Sequence, residues 1–303
     1  MPVPPSPAIA ALLATVLPGG GQFYLGDTEA GVWTVATEAS LVGTAALLPG
    51  REDELDLLGG GGTFELTPRR LALETWSKLH VYTVYAAYRD AWHLRNELRE
   101  APPLPGNSAS DMLSAPVRPS VALSPEVALP VLTLVTMATA AALLANSSGS
   151  ALGLFESGSV EILGSDLSPG AALAAQTPVH GALSMGAAVS EEGLFRGMMQ
   201  HSLMRWMSPG PAIATQATLF GAAHIPNAFI LPFRPEDRLR IAVQQFTVTT
   251  LLGGWMGYLA WRDQGDLSRA VAFHFWYDIL IMTLGFATEG ESWPFRFTLA
   301  VPF

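Results

Sequence analysis

Three groups of ionisable residues interrupt stretches of this chain that are otherwise apolar. Glu191 and Glu192 close the run Leu167 to Ser190, in which His180 is the only other ionisable side chain, and Arg196 follows them. His224 is the only ionisable group between Trp206 and Phe233. His274 and Asp278 lie in a last apolar stretch. A carboxylate beside an imidazole can take a proton from water, and a second imidazole or acid can steady the oxyanion that follows attack on a carbonyl. An ionisable side chain at membrane depth is costly to keep, so each of these is a functional candidate. Residues four apart share a helix face, which pairs Glu192 with Arg196, Phe220 with His224 and His274 with Asp278. Glu191 points about 100° away from Glu192 on a helix and lacks a partner of that kind. It is the freer acid and the better base, while Glu192 and Arg196 read as a supporting pair.

The elements that must position these residues are helices. A bilayer core of ~30 Å needs ~20 apolar residues in a helix. Val127 to Phe155 and Ile241 to Trp261 carry no formal charge, and Leu167 to Ser190 and Trp206 to Phe233 carry only one histidine each. Backbone polar groups cannot stay unpaired in lipid, so these windows read as transmembrane helices. The pattern predicts helices near 126–146, 169–206, 211–225, 238–262 and 267–286, and the second, too long for one straight span, must protrude or kink. Ser208-Pro209-Gly210 is a turn between two of them. Glu191 lies 17 residues before Ser208 and His224 lies 16 after it, so an antiparallel hairpin brings the two to one depth. The turn Asp263 to Asp266 falls on the same side, and His274 and Asp278 then sit ~12–18 Å in, against ~25 Å for Glu191. These depths meet if the long helix protrudes by a turn or two.

Composition bounds the reading. Half of the 303 residues are hydrophobic and only 14% are charged, against ~25% in a soluble domain. The expected fold class is all-α, a polytopic transmembrane helical bundle. The net charge of −10 argues against nucleic acid as a partner, and the absence of cysteine excludes thiol catalysis and disulfides. Lys78 is the only lysine against fifteen arginines, a balance suggestive of a GC-rich bacterial genome. Three regions follow: a membrane-associated helical region over 1–100, a Pro/Ser-rich linker over 101–125 and a catalytic domain over 126–303. In the first, Ala8 to Leu17, Ala30 to Leu48 and Leu71 to Trp92 are helical candidates, Glu38 is an unexplained acid in an apolar stretch, and Arg51 to Asp56 with glycines 59 to 62 read as a polar loop. Pro18 to Gly26 resembles the PGxGQxYxG motif of small two-helix bacterial membrane domains. Arg118, Arg205, Arg262 and Arg269 place the linker on the cytoplasmic side by the positive-inside rule, while Arg234, Arg238 and Arg240 oppose it. His180 and His201 match no motif and read as structural.

Glu191-Glu192-Gly-Leu-Phe-Arg196, Phe220-Gly-Ala-Ala-His224 and His274-Phe-Trp-Tyr-Asp278 stand in the order of EExxxR, FxxxH and HxxxN/D. Over roughly residues 126–290 the chain resembles the CPBP (CAAX protease and bacteriocin-processing, or Abi) family of intramembrane proteases, in the manner of a type II CAAX prenyl endopeptidase. The resemblance implies an endopeptidase that cuts a membrane-anchored peptide or protein, in a multi-pass protein of the bacterial inner membrane with the lipid bilayer as its surroundings. It implies Glu191, His224, His274 and Asp278 as catalytic residues, with Glu192, Arg196 and Phe220 in support. In that family the first glutamate and the FxxxH histidine activate water, and the last pair serves the oxyanion or a metal. If a divalent metal such as zinc is used, Glu191, His224, His274 and Asp278 are its expected ligands. Asp278 stands where the family often has Asn, and an ionised acid there would repel an oxyanion. No HExxH zinc-protease motif occurs, and the GxSG of rhomboids and the GxGD of aspartyl proteases are absent. The alternatives are a non-catalytic membrane scaffold or immunity-type protein of the same fold, and an ion or proton carrier using the same acids.

Overall fold

The computed structural model describes residues 4–48, 67–97, 107–145, 158–162, 165–230 and 235–289. The expected polar loop from Arg51 to glycine 62 and residues 148–157 of the loop before the long helix lie outside the described residues. Four helices open on a proline that follows a serine: α1 (Pro7–Val16), and later α7 (Pro125–Ala145), α8 (Pro169–Glu192) and α10 (Pro209–His224). Proline suits the first helical position, where its missing N–H has no partner to lose and its fixed φ already fits. Ser6 also caps α1 by accepting from the Ile9 amide.

Gly19, with φ of 73°, makes the turn out of α1 into the short α2 (Gly20–Tyr24). A Cβ at Gly19 would lie 2.5 Å from the Gly31 carbonyl oxygen. Thus only glycine suits this turn. Asp27 caps α3 (Thr28–Leu47) through the Ala30 amide. Helices α1 and α3 both pack on α4 (Pro68–Glu97). The isolated acid of α3 finds its partners there. Glu38 accepts from Trp76 Nε1 at 3.1 Å and meets His80 Nδ1 at 2.9 Å, while His80 Nε2 faces the Thr15 carbonyl at 3.2 Å.

The expected linker is folded over its described part. Ser108 and Asp111 form a capping box for α5 (Ala109–Ser114), which a 3₁₀ turn joins to α6 (Pro119–Ala122). These residues hold the start of α13 (Ser268–Glu289): the Asn107 side chain accepts from the Leu267 amide at 2.7 Å, Arg118 donates to Ser268 Oγ at 2.6 Å and Trp276 Nε1 donates to the Pro116 carbonyl at 2.9 Å. Polar and proline-rich residues suggest a connection, but here they supply caps and side-chain bonds to distant elements.

The second half follows the expected helices closely. After α7 comes a two-stranded antiparallel hairpin, β1 (Val160–Ile162) with β2 (Ser165–Leu167), which pairs Val160 with Leu167. Helix α8 runs to Glu192. The chain then changes winding to a π-helix over Gly193–Gln200, ending in the short α9 (His201–Leu203). The long helix is thus interrupted by a change of pitch. Helix α10 turns back, α11 (Asn227–Ile230) follows, α12 (Arg238–Arg262) packs along α10, and α13 packs on α8 and α7.

Among the described residues one segment, Ser268–Ala287 of α13, is long and apolar enough to cross a membrane, with half of it buried inside the protein; Pro7–Val16 and Pro125–Ala140 are apolar but shorter. The sequence windows suggested more spans. The difference has a physical reason. Helices α8 and α12 carry Gln176, His180, Ser184, Gln244 and Gln245 within their apolar runs, and α10 has 16 residues. What the structure establishes is the all-α class.

Candidate active site

Glu191 and Glu192 occupy the last turn of α8, where the α-helix gives way to the π segment. Single-turn π insertions recur at functional sites because they re-aim the residues beside them. Glu192 and Arg196 are fully buried and bonded to each other, Arg196 Nη1 donating to Glu192 Oε1 at 2.9 Å. Arg196 Nη2 donates to the Gly253 carbonyl at 3.1 Å, and its guanidinium lies 4.3 Å from the centre of the Phe220 ring. Gln216 also donates to the Gly253 carbonyl, at 3.0 Å, and Gln200 to that of Gly257, at 2.9 Å. Bare glycine backbone allows this approach. A Cβ at Gly257 would lie 2.6 Å from the amide ends of Gln200 and Gln216.

Above this polar layer the three groups converge. Glu191 Oε2 lies 3.9 Å from His224 Nε2 and 3.9 Å from His274 Nε2. His274 Nε2 is also 3.3 Å from Asp278 Oδ2. The other ring nitrogens are anchored, His224 Nδ1 on the Phe220 carbonyl and His274 Nδ1 on Glu192 Oε1, each at 2.8 Å. Both acceptors are oxygens without a proton to give, so each Nδ1 carries the hydrogen and each Nε2 is turned towards Glu191. Phe220 wedges the pair, its ring centre 4.6 Å from that of His224 and 6.2 Å from that of His274. Glu191 Oε2 is buried and has no hydrogen-bond partner among the described residues. Its other oxygen accepts from Lys78 Nζ of α4 at 3.3 Å. The side chains of Lys78, Glu191, His224 and Asp278 remain 27, 19, 23 and 27% exposed. The sealed Glu192–Arg196 pair therefore lies beneath a group of partly exposed side chains.

All seven residues singled out in the sequence meet in this one place. Lys78, Gln200, Gln216 and Gly253 were missed. A lone lysine in an aromatic helix was the only signal for the first, and no local spacing links it to a residue 113 positions away. His180 packs on Phe286 and faces Thr283 Oγ1 at 3.4 Å, and His201 meets the Tyr88 hydroxyl at 2.9 Å, away from the centre. Among the described residues no group of three or more His, Asp or Glu is arranged to hold a metal ion. The expectation of a four-ligand metal centre is not supported.

Glu191, Glu192, His224 and His274 thus form one cluster on helices, with both histidine Nδ1 atoms anchored and both Nε2 atoms 3.9 Å from Glu191 Oε2. Residues 174–280, about a third of the chain and all three motifs, match the family model of the Rce1-like type II CAAX prenyl endopeptidases. That family is one of membrane endopeptidases acting on membrane-anchored proteins. No curated protein and no solved structure matches the chain.

Proposed function

We propose that the chain is a multi-pass intramembrane endopeptidase that hydrolyses a peptide bond in a membrane-anchored peptide or protein, with Glu191 as general base. The observation that carries this reading is Glu191 Oε2, buried without a partner among the described residues and 3.9 Å from each of two imidazole Nε2 atoms. A water bonded at about 2.8 Å to two such atoms spans a gap of about 4 Å. In that position the water donates one hydrogen to Glu191 and one to His224 Nε2, and its oxygen lone pair faces the substrate carbonyl.

Glu191 takes the proton as the water oxygen bonds to the carbonyl carbon. The carbonyl π electrons move to oxygen, and His274 faces the resulting negative charge. His274 has carboxylates at both nitrogens, Glu192 at Nδ1 and Asp278 at Nε2, so it is the donor on both sides. Asp278 in this reading acts through His274 and need not touch the oxyanion. Collapse of the tetrahedral species breaks the C–N bond, and Glu191 returns its proton to the departing amine. No step requires a metal.

A lipid setting is supported by large apolar side chains on outward faces, including Leu12 and Val16 of α1, Leu129 and Leu132 of α7, and Val243 and Leu251 of α12. The decisive experiment is turnover of a membrane-anchored test peptide by Glu191→Gln, normalised to folded protein. General base catalysis contributes a factor of ~10²–10⁴, and a loss of that order with normal folding is expected. Full activity in this variant would remove Glu191 as the base, whereas absence of cleavage by the wild-type chain would favour the scaffold.

A further inference from the structure

The matched family segment begins at residue 174, yet one group in contact with the candidate base comes from far upstream. Lys78 lies on α4, which runs beside α8 and the π segment in the same direction. The docking is set by glycines. The Lys78 stem lies over Gly186, where a Cβ would come within 3.3 Å of Lys78 Cγ. Two turns on, the buried Tyr85 sits on Gly193 and Gly197, where added Cβ atoms would come within 2.6 and 2.3 Å of its ring. One turn further, the Tyr88 hydroxyl bonds His201 and Ser202. The register of α4 against α8 and the π segment is therefore fixed at Lys78 and at the turns that follow it, and this seam carries the ammonium to Glu191.

The two oxygens of Glu191 have different surroundings. Oε1 accepts from Lys78 Nζ at 3.3 Å, whereas Oε2 is the unpartnered atom that faces His224 and His274. A glutamate side chain has three rotatable bonds, and a carboxylate held at one oxygen can aim only the other. Arg196 cannot supply this anchor, because its terminal nitrogens are engaged by Glu192 and the Gly253 carbonyl. We infer that Lys78 is a positioning residue of the centre, which holds Glu191 Oε1 so that Oε2 addresses the water between the two histidines; the N-terminal region is then part of the catalytic apparatus. This rests on the reading of Glu191 as the base.

A tether that merely packs α4 on α8 would rely on the stem over Gly186, and Lys78→Met keeps that stem while removing the charge. In the full-length protein in detergent, with the same membrane-anchored peptide, Lys78→Met is expected to fold normally and to lose kcat by about 10- to 100-fold, the rate equivalent of one charge-assisted hydrogen bond. KM should stay within about twofold, and Lys78→Arg should retain most of the turnover. Lys78→Ala lacks the atoms of propylammonium, so propylammonium chloride should restore part of its kcat where sodium chloride does not. Wild-type turnover in Lys78→Met, with Glu191→Gln inactive, overturns the role of Lys78 alone; an active Glu191→Gln overturns the underlying mechanism instead. Failure of Lys78→Met to fold, or a loss that neither arginine nor propylammonium repairs, makes the lysine a structural tether and also overturns the inference.

Discussion

Glu192 serves two partners through one oxygen. Oε1 accepts from Arg196 at 2.9 Å and from His274 Nδ1 at 2.8 Å, all inside the protein. The i,i+4 spacing predicts only the first. Removing the charge leaves a buried cation without its counter-ion, at a cost of ~3–5 kcal/mol. It also frees the ring that faces Asp278. Glu192→Gln is therefore expected to lower the midpoint of chemical denaturation and, per folded molecule, to lower kcat as well, whereas Glu191→Gln changes kcat alone. Parallel denaturation and turnover curves for the two variants check this. Asp278→Asn keeps an acceptor for His274 Nε2, so activity within about tenfold of wild type is expected, with a deeper loss in Asp278→Leu, which offers no acceptor. A larger loss in the asparagine variant than in the leucine variant would remove Asp278 from its proposed role. Most of this centre was legible because Glu192–Arg196, Phe220–His224 and His274–Asp278 are local pairs that helical periodicity exposes. The bond between Glu192 and His274 spans 82 residues, and no periodicity within one helix can announce it.

At the scale of elements, neighbouring glycines on α12 make opposite predictions. A Cβ at Gly253 would lie 3.0 Å from Phe220 Cδ1 and 3.1 Å from Arg196 Nη2, while one at Gly254 would meet nothing within 4 Å. Gly253→Ala is expected to destabilise by about 1–3 kcal/mol through overpacking and to disturb the arginine that anchors Glu192. Gly254→Ala is expected to stabilise by up to about 1 kcal/mol, since helical glycine is poorer than alanine by that amount. Thermal unfolding of both variants measures the difference, and stabilisation by Gly253→Ala as well would show that the α10–α12 seam is less tight than described. Helix boundaries in the second half were legible from uncharged windows bounded by Ser-Pro and Pro-Gly signals, and α10 and α12 fall within two residues of the expected positions. The π segment was legible only as excess length. Its glycines receive Tyr85 from a helix far away in sequence, a contact that no local pattern announces. The short helices within the linker were not legible, because capping serines and N1 prolines look like loop residues until the helices they start are known.

For the whole molecule, the division at residue 125 that composition suggests meets a seam that crosses it. Helix α4 covers Val189, Gly193 and Gly197 and carries Lys78. A chain beginning at Ser120 is thus expected to turn over test peptide no faster than Lys78→Met, and to expose apolar surface now covered by Tyr85 and Tyr82. Wild-type turnover in that shortened chain would return the N-terminal region to the status of an accessory. The same side chain has a practical consequence. Lys78 is the only lysine in the protein, so an amine-acylating reagent has one side-chain target, and that target touches the candidate base. Such a reagent becomes a site-directed titrant: the extent of Lys78 acylation, read by peptide mass mapping so that the α-amine is counted apart, should track the loss of turnover, and an occupant of the centre that shields Lys78 should slow both together.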